Sequence, residues 1–229
     1  VNFLALTQRL YSELGRSGSG PTAFVGASAS NLRLFNAVAD AWLDVQTDPI
    51  GWRWMLRQGD TLPLTAAVDT YTGIDLGFAD FGRWRKPDDQ YTILQSDPAL
   101  TPIQRVRVEH VVRDKFERQF RDNPPPAAAP QYWTVDPLEK LVIAPTPDKP
   151  YVLRAEYFIE PVPLLADAST PDMPAKFHMI LVWKAMLQIA QFDAAPENVS
   201  RASDKYEELL SLLMLDQGQT LTINARPLA

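Results

Sequence analysis

The sequence of 229 residues contains no cysteine. Disulfide staples, thiolate nucleophiles and thiolate metal sites are therefore excluded. Histidine is nearly missing: only His110 and His178 occur, too few for a His-rich metal cage. An excess of positive charge is missing as well. Lys and Arg number 22 against 28 Asp and Glu, a net charge of -6, and a whole-chain clamp on nucleic acid needs the opposite sign. No apolar run reaches the roughly 18 residues that a membrane span needs. No basic stretch followed by an apolar core opens the chain, so no secretory leader is expected. The run Gly15 to Gly20 (GRSGSG) lacks the Lys-Ser/Thr ending of a phosphate loop and does not follow a strand. Neither a G-x-S-x-G elbow nor an H-E-x-x-H pair is present.

What is present is globular in character. Hydrophobic residues make up 46% and charged residues 22%, enough apolar side chain for a sizeable core in one large or two small domains. Proline divides the chain. Fourteen of the 20 prolines lie between Asp60 and Leu165. Proline is hostile to helix interiors and central strands, so this middle must be built differently from the two ends.

Both ends read as helices. Phe3, Leu6, Leu10 and Leu14 follow the i, i+3, i+4, i+7 rule. After a Gly- and Ser-containing loop, Ser30 or Asn31 is expected to cap a second helix, whose inner face carries Leu32, Phe35, Val38, Ala39, Trp42 and Val45. Phe177 to Ala190 is apolar almost all round, the pattern of a helix surrounded by other elements. A last helix opens at Pro196 and Glu197 and carries the stripe Val199, Ala202, Tyr206, Leu209, Leu210 and Leu213.

In the middle, Trp52, Trp54 and Leu56 alternate, as do Leu62 and Leu64. Tyr91–Leu94, Tyr132–Val135, Lys140–Ala144 and Tyr151–Ile159 are β-branched and aromatic runs between Pro, Asp and Gly. Val111–Phe120 reads as one short helix, and Asn123–Pro130 (NPPPAAAP) as a stiff extended linker. The expected fold is α+β: a helical bundle built from both chain ends with an inserted Pro-rich antiparallel β domain. The expected boundaries are 1–59 and 166–217 for the helical domain, 60–165 for the insert, and 218–229 for an extended C-terminal arm.

Few residues offer chemistry. A metal-binding His178 would want a partner at i+3 or i+4, where Leu181 and Val182 stand, so it reads as a packing or interface histidine. His110 has Glu109 and Asp114 nearby, an ordinary helix-surface pattern. Glu156 and Glu160 sit about 13 Å apart on a strand rising about 3.3 Å per residue, too far for the carboxylate pair of a glycosidase. No nucleophile stands with its base. No catalytic, cofactor or metal site is expected.

Two basic clusters remain, Arg83-Trp84-Arg85-Lys86 and the run from Arg105 to Arg121. Arg beside Trp suits contact with a nucleic-acid backbone and stacking on bases. An ordinary solvated or subunit-interface face is the competing reading. The insert as a whole holds 12 basic and 16 acidic residues, which is not the balance of a DNA clamp. Arg83, Trp84 and Arg85 are thus candidate contacts of the insert. Trp52, Trp54, Trp84 and Trp133 read first as core, with one or two as exposed anchors. After the last helix, Thr220-Leu221-Thr222-Ile223 alternates polar and apolar, the form either of a segment that adds a strand to another subunit or fills a neighbour's groove or of a frayed terminus. Leu221, Ile223 and Arg226 are candidate interface residues.

Several pieces of the sequence, in order, resemble one family. At the N-terminal end they are Phe3-Leu4-x-Leu6, then Ala41-Trp42-x-Asp44-x-Gln46 and Trp52-x-Trp54-Met55. In the middle they are Gln131-Tyr132-Trp133-Thr134 and Leu141-Val142-Ile143-Ala144-Pro145-Thr146-Pro147. Towards the C-terminus they are Thr170-Pro171-Asp172-Met173-Pro174-Ala175-Lys176-Phe177-His178 and Lys205-Tyr206-Glu207-Glu208-Leu209-Leu210. Together they resemble the head-to-tail adaptor (connector) proteins of short-tailed bacteriophages. Residues 66 to 100 carry none of the pattern.

The resemblance implies a virion protein assembled in the host cytoplasm. It implies a dodecameric ring beneath the portal protein, joined to the tail nozzle protein and traversed by double-stranded DNA that is not bound sequence-specifically. It brings no catalytic residues and no membrane. The alternative from another class is a tail-associated carbohydrate- or cell-wall-binding module, which requires several Trp or Tyr exposed on one face of the insert. A cell-wall hydrolase has no residues to support it.

Overall fold

The computed structural model describes residues 1–229 except 19, 49–50, 86–92, 101–103, 194–195 and 218–229, and except the side chains of residues 60 and 192. In chain order its helices and strands are α1 (Phe3–Glu13), α2 (Ala29–Gln46), β1 (Leu56–Leu64), β2 (Thr70–Tyr71), β3 (Phe81–Trp84), β4 (Ile93–Ser96), β5 (Arg105–His110), α3 (Arg113–Phe116), β6 (Tyr132–Val135), β7 (Leu141–Ala144), β8 (Tyr151–Ile159), α4 (Met179–Phe192) and α5 (Pro196–Gln217). The fold is α+β. The chain divides into two compact units, one made of Val1–Met55 with the chain from Pro161 through α5, the other of Leu56–Glu160.

The first unit holds the four long helices. α1 starts where Asn2 accepts a hydrogen bond from the Ala5 amide at 3.0 Å. α2 is capped by Ser28 rather than by Ser30 or Asn31: the Ser28 hydroxyl accepts from the Asn31 amide. Ser28 has the extended backbone that a cap needs, and the helix begins one residue later. α4 touches α1, α2 and α5. This explains its nearly continuous apolar sequence, with Ile180, Leu181, Val182, Ala185 and Met186 fully buried. Phe3, Phe24 and Phe35 form an aromatic trio with centroids 5.2 to 5.7 Å apart.

Segments far apart in sequence close this unit. Phe3 and Leu4 amides donate to the carbonyls of Ser169 and Asp167 at 2.8 and 3.2 Å, satisfying donors that the first turn of α1 leaves open. The buried Gln46 side chain donates to the Val162 carbonyl at 3.1 Å and accepts from the Val162 amide at 2.9 Å. Trp42 donates its indole N–H to the same carbonyl at 2.7 Å.

The second unit is an eight-stranded sheet in the order β1-β8-β4-β5-β6-β7-β2, with β3 also paired to β8. β8 is its axis: β1 runs along one edge, β3 and β4 along the other. The alternation read in Tyr151–Ile159 is observed, with Tyr151, Leu153, Ala155 and Tyr157 buried.

The expected antiparallel domain is corrected here: the sheet is mixed, because β5 and β6 run parallel. A parallel pair needs a crossover rather than a hairpin. The segment 111–131 provides it, through α3, a π-helical turn over Glu117–Arg121 and the Pro124–Pro126 run. Phe116 and Phe120 from this crossover pack with Val111, Val142 and Ala144. The expected alternation at Trp52, Trp54 and Leu56 is not a strand. Arg53–Met55 is a 3-10 turn, and the Trp52 and Trp54 rings stack at 4.8 Å.

Candidate functional site

The Arg83-Trp84-Arg85 cluster lies on and just after β3, against β8. Trp84 is 2% exposed. Its ring joins Phe78, Phe81 and Tyr157 in an aromatic cluster whose closest pair, Phe78 and Tyr157, stacks at 4.0 Å. The Arg83 guanidinium sits 4.7 Å from the Phe158 ring centroid, within cation–π range. Arg85 donates its amide to the Glu156 carbonyl at 3.2 Å and pairs its guanidinium with the Glu156 carboxylate. The three residues clasp β8. A buried indole does not stack on bases, and the two cations already have partners within the unit. Lys86 lies outside the described residues.

The run from Arg105 to Arg121 separates into two parts. In the crossover, Arg113 pairs with Glu117 at 2.6 Å and Arg121 with Asp69 at 3.1 Å. On β5, Arg105, Val106 and Arg107 are all exposed, and Val106 is 48% exposed. Sequence reasoning grouped these residues as a charge cluster and missed the strand. The signal was the period-2 placement of Val106 and Val108 among Arg105, Arg107 and Glu109.

The β5 edge is only partly covered. Its whole length from Arg105 to Val108 pairs with β4. On its other side only Glu109 and His110 pair with β6. Beyond them a groove of about 640 Å³ is lined by Gln95, Val106, Arg107, Ala129, Gln131 and Tyr132. Gln95 is 5% exposed, and its side-chain carbonyl oxygen is buried without a hydrogen-bond partner among the described residues.

The remaining candidates are structural. His178 is buried, with Nε2 at 3.0 Å from the Met173 carbonyl and Nδ1 at 3.1 Å from the Val1 carbonyl. Burial pushes its pKa down, against the opposing effect of those carbonyls. His110 packs edge-on to Trp133 at 4.8 Å, and burial lowers its pKa too. Among the described residues no group of His, Asp and Glu is placed to hold a metal ion. No described helix is long and apolar enough to cross a membrane. Trp52, Trp84 and Trp133 are buried as core, so they do not provide the exposed aromatic face that a carbohydrate-binding module requires. Leu221, Ile223 and Arg226 lie outside the described residues.

The comparison of sequences decides the family. The profile of the SU10 adaptor protein family matches residues 1–228. The chain belongs to the SU10 adaptor protein family. No curated protein matches it. Membership agrees with the resemblance to head-to-tail adaptors carried by the tryptophan, Pro-Asp-Met-Pro and Lys-Tyr-Glu-Glu segments, and it makes the protein a structural component of a phage virion. The SU10 adaptor match also spans residues 66 to 100, where the resemblance had no pattern to offer.

Proposed function

We propose that this adaptor forms a dodecameric ring beneath the portal protein, joins it to the tail nozzle protein and leaves a channel for double-stranded DNA. The observation that carries the reading is the adaptor-family match along residues 1–228. In this reading the bundle of helices from both chain ends, 1–59 and 166–217, builds the ring body. The β-rich part, 60–165, reaches towards other tail proteins. The arm 218–229, through Leu221, Ile223 and Arg226, contacts the portal or a neighbouring subunit. Arg83 and Arg85 act by fixing β8 in the β-rich part.

The charge supports passage rather than capture of DNA. Affinity for a duplex comes mainly from neutralising its phosphates. A protein of net charge -6 presents little to neutralise them, and like-signed channel walls let the duplex slide.

Mass measurement of the protein alone and mixed with purified portal tests the reading. A monomer alone and a portal-bound dodecamer in the mixture are expected. Failure to bind the portal at micromolar concentrations overturns it.

A further inference from the structure

The β5 edge stops being covered at a definite residue, for a chemical reason. Glu109 and Val111 donate their amides to the carbonyls of Gln131 and Trp133 at 2.7 and 2.9 Å. Successive residues of a strand direct their backbone groups to opposite sides. Arg105 and Arg107 therefore aim N–H and C=O towards this same side, where β6 has not yet begun. The chain before β6 is Ala128-Ala129-Pro130. Proline has no N–H to offer a ladder, and the Gln131 amide is turned to the Ala144 carbonyl at 2.9 Å. Two residues of β5, Arg105 and Arg107, about 7 Å apart at about 3.3 Å per residue, turn their backbone groups to the groove with no β6 partner among the described residues. Gln95 lines the same groove, and its buried carbonyl oxygen has no hydrogen-bond partner among the described residues. An open strand edge is a template for another strand.

We infer that this edge receives the segment Gln219–Asn224 of a second copy of the chain as an added strand, an inference that rests on the multi-copy assembly proposed above. That segment begins two residues after α5 ends at Gln217. As a strand it places Gln219, Leu221 and Ile223 on one face and Thr220, Thr222 and Asn224 on the other. The first row matches the side of β5 that carries exposed Val106. The second row shares the side of Arg105, Arg107 and Glu109. Pro227 then ends the strand, since it cannot continue the ladder.

The absence of cysteine makes the test direct. One preparation of the full chain carries Arg105→Cys and another Thr222→Cys; they are mixed under mild oxidation, and disulfide-linked dimers are followed by non-reducing electrophoresis and mass spectrometry. The control replaces Arg105→Cys by Leu138→Cys, at a site 74% exposed in the β6–β7 turn. The linked dimer is expected to form at least tenfold faster than in the control. A synthetic peptide of residues 218–229 in excess should slow it to the control rate. Adding Arg107→Pro to the Arg105→Cys chain should do the same, because it removes an outward N–H and leaves the β4 ladder whole. A rate equal to the control overturns the inference. So does a link that forms only inside a chain carrying both cysteines, or one that disappears when portal is added because portal takes the edge. Portal-bound rings that form without the link overturn the strand seat and leave the adaptor reading standing; no ring and no link count against both.

Discussion

Trp84 donates its indole N–H to the carbonyl of Glu139 at 2.9 Å, and Glu139 is held in the left-handed region at φ 58°. The bond ties the buried β3 ring to the β6–β7 turn. In that turn Asp136 accepts from the amides of Leu138 and Lys140, both at 2.8 Å. The turn forces a positive φ on a residue with a Cβ, a conformation that glycine adopts at little cost. Trp84→Phe removes the donor and, with its smaller ring in a buried site, leaves a cavity. It should cost about 2–3 kcal/mol of stability in urea titration. Glu139→Gly should be neutral or stabilising by up to about 1 kcal/mol.

Gly82 permits β3 to lie on β8. A Cβ there would stand 2.9 Å from the backbone nitrogen of Glu160 and from the carbonyl carbon and oxygen of Ile159. These are backbone atoms and do not swing aside. Gly82→Ala should destabilise the protein by about 2 kcal/mol or more, read as a lower urea midpoint at unchanged slope.

The Gln46 side chain reads both backbone groups of Val162. Gln46→Leu keeps the bulk and leaves the Val162 amide without that acceptor. A loss of about 2 kcal/mol is expected. Hydrogen exchange should show the Val162 amide losing protection first, ahead of α4.

Stability should fall on the acid side of neutrality. His178 and His110 both have pKa values lowered by burial. Each therefore binds a proton more readily in the unfolded chain than in the folded one. Their contribution is whole above the unfolded value of about 6.5 and is lost as pH falls through the lower folded values. Urea midpoints measured from pH 8 to pH 5 should decline, and His178→Gln should flatten the decline.

Removal of residues 218–229 should weaken attachment to the portal at least tenfold. Equal attachment of the shortened chain, measured by co-sedimentation with portal, would remove the arm from the interface.

The sequence was most readable where one period dominated. The i, i+3, i+4 spacing of Phe3, Leu6 and Leu10 and the alternation of Tyr151, Leu153, Ala155 and Tyr157 correspond to α1 and β8. β3 and β5 were hidden because Arg83, Arg85, Arg105 and Arg107 drew attention to charge. On a strand, period-2 placement matters more than sign. The two-residue β2 is too short to show any period. The parallel pairing of β5 with β6 depends on which strands meet after the crossover, a tertiary choice that local pattern does not encode. The open groove beside Gln95 depends on that same choice.

The long-range closure of β1 on β8 governs the order in which a newly made chain acquires structure. Leu56 meets Phe158 and Leu64 meets Tyr151, so the sheet lacks its axis until translation has passed Ile159. α1 and α2, though synthesised first, wait longer still for α4. Contacts of such high sequence separation slow folding and leave early apolar faces uncovered. The apolar faces of α1 and α2 that meet α4 are therefore the part of the growing chain that stays longest without its partner.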